Sequence, residues 1–227
     1  VQDGLFRLDE RCADTLTEWR GDGRADITLR QLLTLTGGLA PGGIARPPTY
    51  AAAVATPLVT RPGQRFAYGP TPFQVFGEML RRKLTARREP SDPVAYYQRR
   101  LFDPLEVRPQ VWRRGTDGQP HLPSGAALTA RDWARFGAFV LRGGDGRLDP
   151  ATLAACFDGS TANPGYGLTW WLLRPGLIGP SPRAGIDGTS FSPAAVSEDI
   201  VMAAGAGNQR LYLLRRRGLV VVRQATG

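Results

Sequence analysis

Along the first two-thirds of the chain, apolar residues recur three and four positions apart; along the last third they gather in short continuous runs. The first spacing belongs to helices with one buried face, the second to strands. "ITLRQLLTLTGG" opens with Thr28 and Gln31, a capping box whose side chains satisfy the first free backbone amides. Leu29, Leu32 and Leu33 make its apolar face, and Gly37-Gly38 is expected to end it. Residues 39–62, rich in Gly, Pro and Ala, predict a long crossover with a short helix over Tyr50 to Ala55. "RPGQRFAYGPTPFQVFGEML" then bends at Pro62-Gly63 and enters a helix. Thr71 is its expected cap, Pro72 sits at the first helical position, and Gln74 completes a second capping box. Phe73, Phe76, Gly77, Leu80 and Leu84 continue it as one stripe.

A third helix from Ser91 turns Val94, Tyr97 and Leu101 inward, and residues 102–125 read as irregular. "LTARDWARFGAFVLRGG" gives Thr129 as cap, a stripe of Trp133, Phe136, Gly137, Val140 and Leu141, and a Gly143-Gly144 stop. Asp149 and Pro150 open a short helix that ends near Phe157. The period then changes: "YGLTWWLL", "DIVMAAG", "QRLYLL" and "GLVVVRQ" read as strands, the last two joined by a charged four-residue turn. Their near-continuous apolar character predicts cover on both faces. Helices followed by antiparallel strands make an α+β domain. At the other end, "VQDG" reads as the tail of a helix stopped at Gly4, so the sequence reads as beginning partway through an element.

The 227 residues and 42% apolar content suffice for a substantial core. No apolar run approaches a membrane span, and no signal-peptide pattern is read within these residues. The formal charge of +9 invites a nucleic-acid reading, but Lys83 is the only lysine, and the arginine-rich, Ala/Gly/Pro-rich composition is that of a GC-rich coding bias. Arg81-Arg82-Lys83 and Arg215-Arg216-Arg217 fall at a helix end and a hairpin turn, where a helix dipole or solvent accommodates them. No aromatic stacking motif or recognition helix accompanies them, so no nucleic-acid partner is expected. Cys12 and Cys156 lie in no motif, either paired or as two thiols. With His121 the only histidine, nitrogen and sulfur ligands are too few for zinc; no metal and no cofactor is expected.

The familiar catalytic signatures are missing. There is no G-x-S-x-G elbow, His121 in "GQPHLPSGA" lacks a positioned serine and acid, "GAGNQR" is not a dinucleotide fingerprint, and "TGGLAPGG" lacks the end of a phosphate loop. What remains is Tyr68, on a turn between Arg65 and a well-marked helix start, where a phenol serves either as a base or as a plug in the core.

The order of segments resembles the serine β-lactamase and penicillin-binding-protein superfamily, in its class C-like esterase and D-peptidase branch. "DGLFRLDERCADTLTEW" is similar to the stretch after that family's nucleophile helix, and "ITLRQLLTLTGGL" to its "ITLRHLLTHTSGL", with Leu35 for His and Gly37 for Ser. "PGQRFAYGP" resembles "PGxxFxYSN", "LFDPLEV" the "PLGM" segment, and "GAALTARDWARFGAFVLRGG" the pattern "GGLxSTAxDLARFGxLLLxGG". "YGLTWW" and "AAGAGNQRLYLL…GLVVVRQ" match the terminal strands. The resemblance implies a β-lactamase/transpeptidase-like fold over 1–227 as one domain, with a helical part at about 27–157 and C-terminal strands at 166–227. The family's first strands and its C-terminal helix are not among these residues.

The resemblance also implies a chemistry. A serine and a lysine one helical turn apart in S-x-x-K, with a tyrosine opposite, cleave a small ester or amide through an acyl-serine. The phenol and the ammonium, with pKa values near 10 and 10.4, must each be poised by the other to act near neutral pH. Carried over, Tyr68 is the tyrosine base, and Ala203-Ala204-Gly205 stands at the K-T-G strand. The Ala206 amide is the second oxyanion donor, with Gly205 and Gly207 leaving room for substrate. Pro70 replaces the asparagine of Y-x-N, and Ala203 replaces the basic residue of K-T-G, which points away from β-lactam specificity and toward a neutral ester or amide. No S-x-x-K occurs, so the nucleophile and lysine are expected upstream of Val1, and these residues alone are expected to be inactive. The alternative is a remnant or binding domain with Tyr68 as packing. The expected partners are a small ester or amide and a completing segment, either the N-terminal one or another chain. The expected location is periplasmic or secreted, with the cytoplasm as alternative. Pocket width is expected to depend on residues 40–48 and 174–192.

Overall fold

The computed structural model describes residues 1–179 and 199–225. The chain divides into two compact units, Val1–Pro104 with Pro109–Ala127, and Leu105–Arg108 with Leu128–Gly227.

The first unit is built on helices α1 (Leu29–Leu33), α2 (Tyr50–Val54), α3 (Thr71–Ala86) and α4 (Pro93–Tyr97). A small hairpin, β1 (Val111–Trp112) with β2 (Ala126–Ala127), joins them. The capping box of α1 forms as read, with Thr28 Oγ1 accepting from Gln31 N and Gln31 Oε1 from Thr28 N. The stop differs. The helix ends at Leu33, and Leu35, not a glycine, takes the left-handed conformation at φ 58°. At α3 the expected second capping box does not form: Pro70 is the cap residue and Thr71 lies inside the helix. Gln74 is committed elsewhere, donating to Pro48 O at 2.9 Å and accepting from Leu122 N at 3.0 Å, so it ties two loops to the helix start. The helix expected from Ser91 begins at Pro93, with Asp92 as its cap accepting from Val94 N.

The core of this unit gathers Leu16, Trp19, Ile27, Leu29, Leu32, Val75, Met79, Leu80 and Leu84. Gly77 of α3 is needed for close packing: a Cβ there would lie 2.3 Å from the Tyr50 hydroxyl. The cationic run on α3 is ion-paired and does not merely complement the dipole. Glu78 accepts from Arg81 and Arg82, Arg82 also reaches Glu18, and Lys83 Nζ lies 2.6 Å from Glu10.

The second unit holds α5 (Ala130–Leu141), α6 (Pro150–Ala155) and a sheet of β3 (Trp171–Leu172), β4 (Ile200–Gly205), β5 (Gln209–Leu214) and β6 (Leu219–Arg223). The four strands are antiparallel in sequence order. Thr129 caps α5 and Asp149 caps α6, as expected. The helix α5 seats on the sheet at Gly137, where a Cβ would meet Val220 at 2.8 Å and Leu211 and Leu213 at 3.0 Å. Phe136 and Phe157 both pack on Trp170. Cover on both faces is not observed along β6. Its residues alternate in exposure, with Leu219 48% and Val221 42% exposed, because α5 shields only one face of the strand. Cys12 and Cys156 are not joined in a disulfide.

Candidate active site

Tyr68 stands on residues 61–70, an irregular segment fixed at both ends to the chain that follows α1. The Pro62-Gly63 bend forms, with Gly63 at φ 85° and Gln64 N donating to Arg61 O. Gly63 N then donates to Thr36 O at 2.7 Å, and Ala67 N to Leu35 O at 3.0 Å. The left-handed turn at Leu35 is what brings these successive carbonyls, 35 and 36, onto the tyrosine segment. Past Tyr68, Thr71 N donates to Pro41 O at 3.2 Å. Between these anchors, Gly69 lies so close to Pro41 that a Cβ would sit 2.1 Å from its carbonyl oxygen. Gly42 is pressed in turn against Thr71 and Pro70. Tyr68 itself is half-buried, and Pro70, at the asparagine position of the Y-x-N resemblance, is buried.

This bracing is the main feature of the site that reading the sequence missed. Gly69 was the available signal: a glycine directly after a tyrosine and before a proline marks a close backbone approach. Arg61 and Arg65 are exposed.

The other residues singled out, Gly205, Ala206 and Gly207, come together at one turn of the second unit. Ala203, Ala204 and Gly205 pair with Leu211, Arg210 and Gln209 across β4 and β5. A tight turn over Ala206–Asn208 follows, with Gly207 at φ 68° and Asn208 at φ 60°. Arg210 closes it, its guanidinium donating to Gly205 O at 3.0 Å and to Asn208 Oδ1 at 3.2 Å. The Gln209 amide holds the chain end beside it, donating to Ala225 O and accepting from Ala225 N. The short glycine-flanked end of β4 is thus a defined backbone edge. Of the two loops expected to set pocket width, the first is in place and the second lies outside the described residues from 180 to 192.

Lys83 is not a stray catalytic lysine. It is held by Glu10, with its ammonium 4.6 Å from the centre of the Phe6 ring. His121 is a loop residue whose carbonyl accepts from Trp112 Nε1 and Gly125 N. A cleft of about 630 Å³ lies elsewhere in the first unit, lined by Tyr50, Glu78, Arg81, Arg82, Arg24 and Asp117 among others, and Tyr68 is not part of its wall. No helix among the described residues is long and apolar enough to cross a membrane.

Comparison with known proteins bears on the family and the fold. The family model described as Beta-lactamase matches residues 1–227. No curated protein matches in sequence. Among solved structures, a β-lactamase candidate from Bacteroides dorei DSM 17855 superposes with a TM-score of 0.70 at 20% identity, over 97% of this chain and 71% of that one. A candidate 6-aminohexanoate-dimer hydrolase from Bacillus anthracis gives 0.72 at 13% identity, over 97% of this chain and 61% of that one. EstCE1, a hydrolase with promiscuous acyltransferase activity, gives 0.68 at 18% identity, over 97% and 73%. The chain therefore spans between about three-fifths and three-quarters of the length of these structures.

Proposed function

The chain belongs to the beta-lactamase family and has the fold of its serine hydrolases, and from that premise we propose that it forms the larger part of an acyl-serine hydrolase acting on a small ester or amide. In this reading residues 1–227 work as one domain, and the nucleophilic serine and its lysine come from sequence outside them, since no S-x-x-K occurs within. Tyr68 is the base. With the lysine it takes the proton from the serine hydroxyl as the serine oxygen bonds to the substrate carbonyl carbon. It returns that proton to the leaving oxygen or nitrogen, and water then releases the acyl group by the same route in reverse. The end of β4 supplies the substrate edge, with the Ala206 amide donating to the oxyanion and Gly205 and Gly207 leaving room beside it.

The observation that carries this reading is the bracing of Tyr68: backbone hydrogen bonds from Ala67 and Thr71 hold it on either side while its side chain stays half-buried. A phenol that merely filled a core would need no such frame. The 6-aminohexanoate-dimer hydrolase and the acyltransferase activity named for two of the structures above fit a reading in which an acyl group is transferred from a small substrate.

The test uses the intact protein, with the coding sequence upstream of Val1 read first for an in-frame S-x-x-K. Tyr68→Phe is expected to lower kcat on a short 4-nitrophenyl ester by roughly 10²-fold or more while the unfolding midpoint stays within a degree or two. An unchanged kcat, or no labelling of any serine by a fluorophosphonate, would leave the inactive binding-domain alternative in its place.

A further inference from the structure

The helix α1 closes in a form that usually carries glycine. Leu35 N donates to Leu32 O at 3.2 Å and Thr36 N to Gln31 O at 2.9 Å, the paired bonds of a Schellman stop. The left-handed position of that stop is Leu35, at φ 58°, where a side chain crowds the following carbonyl, although glycines stand two and three residues on. The next position, which commonly packs an apolar side chain back on the helix, is Thr36, 2% exposed. Thr34, also buried, places its Oγ1 3.0 Å from Thr36 Oγ1 and donates to Arg30 O at 2.9 Å. That bond uses the one proton of the Thr34 hydroxyl, so Thr36 donates across the pair. Gln31 O, 3.4 Å from both hydroxyls, completes the group.

The carbonyls of Leu35 and Thr36 are the ones that receive Ala67 N and Gly63 N, and Ala67 directly precedes Tyr68. The turn from which the phenol is hung thus holds a crowded left-handed leucine and two buried hydroxyls. A buried hydroxyl gives up its bonds to water and is stable only where it finds partners. Here the partners are each other and the last carbonyls of α1. Hydrogen bonds are directional, so they hold the turn in one conformation where apolar contact would let it shift. Any shift of carbonyl 35 passes through one residue to Tyr68, and a misplacement of about 1 Å can cost a reaction roughly 10²-fold.

We propose that Thr34 and Thr36 are positioning residues for Tyr68: their hydroxyl pair locks the left-handed turn at Leu35 and so fixes the two carbonyls that carry the tyrosine segment. The inference rests on the acyl-serine reading, in which Tyr68 is the base. Neither threonine touches the reacting atoms in this account; both act through the backbone of residues 35, 36, 63 and 67.

The test uses the intact protein and a short 4-nitrophenyl ester. Thr36→Val keeps the side chain's shape and removes its hydroxyl. It is expected to lower kcat about tenfold with KM within about twofold. Amide hydrogen exchange at Gly63 and Ala67, followed by NMR, should quicken relative to that of Met79 in the core. Thr36→Ser, which keeps the hydroxyl, should retain both properties of the parent. In a Tyr68→Phe background the same Thr36→Val change should lower kcat by less than about twofold, because residues that act as one unit do not add. Equal losses in the two backgrounds, an unchanged kcat, or unchanged exchange at Gly63 and Ala67 would overturn the inference and leave the acyl-serine reading standing. Where Thr36→Val does not fold, Thr34→Val, which takes away the acceptor of the Thr36 hydroxyl, is read in the same way. A parent that cleaves no ester, or a Tyr68→Phe variant as active as the parent, sinks the acyl-serine reading itself and the positioning role with it.

Discussion

Tyr50 presents an uncommon economy of contacts at the scale of one residue. Its side chain is 2% exposed, its hydroxyl has no hydrogen-bond partner among the described residues, and the oxygen is wedged against Gly77 of α3. Burial, followed by the neighbouring Tyr97 and by the acids Asp92, Asp117 and Glu78, pushes its phenol up and keeps it neutral. A neutral but unsatisfied hydroxyl still forfeits its bond to water, worth about 1–3 kcal/mol. Tyr50→Phe is therefore expected to raise stability by about 1 kcal/mol, seen as a higher urea midpoint with an unchanged slope. A fall in the midpoint would mean that the hydroxyl makes a contact worth keeping. Cys12 tells a similar story: burial, then the nearby Glu10, pushes its thiol up to about 12, so it is a packing residue and a poor nucleophile.

Elements are where sequence and structure can be compared most usefully. Caps were legible wherever a short polar side chain preceded an amphipathic run, as at Thr28, Thr129 and Asp149, because the bond is made within three residues. The cap at Thr71 failed because Gln74 had more to gain from two loops distant in sequence, at Pro48 and Leu122. No local pattern encodes that choice. The expected glycine stop of α1 failed for a related reason. Gly38, at φ 83°, lies against the Thr60 carbonyl, a contact distant in sequence, while the left-handed turn after the helix falls on Leu35. Tyr68 was legible as a candidate through resemblance and the helix entrance, whereas its two anchors come from carbonyls about thirty residues away.

The charged turn of α3 also belongs to this scale. Desolvation acts to raise the Glu78 carboxyl, but hydrogen bonds from Arg81 and Arg82 outweigh it, and the net shift is downward. A carboxyl lowered in the folded state stabilises fully above its unfolded value of about 4.5. That contribution is lost as pH falls through the lowered folded value. Glu78→Gln should cost about 2 kcal/mol at pH 7. The gap between variant and parent in thermal unfolding should close steadily below about pH 4; a gap that does not depend on pH would assign the loss to packing instead.

At the scale of the whole molecule, the sheet of the second unit ends at β6, which pairs only with β5 among the described residues and leaves Leu219 and Val221 toward solvent. A strand edge with apolar neighbours is a template for further pairing. The isolated 227-residue chain is expected to self-associate with rising concentration, and Val221→Lys to reduce that association in sedimentation or light scattering with little change in far-ultraviolet circular dichroism. Association untouched by the substitution would direct attention away from this strand.

The frame around Tyr68 carries a last consequence, for anyone who would transplant or redesign it. The Pro41 carbonyl fills the space that a Cβ at position 69 would need, and hydrogen bonds donated by the backbone amides of Gly63, Ala67 and Thr71 stitch the two loops at three further points. Neither loop has a shape of its own to inherit. Grafts from relatives should succeed only when residues 35–42 and 61–71 are exchanged together, while insertions are tolerated between Gly43 and Pro48, where the chain leaves the seam.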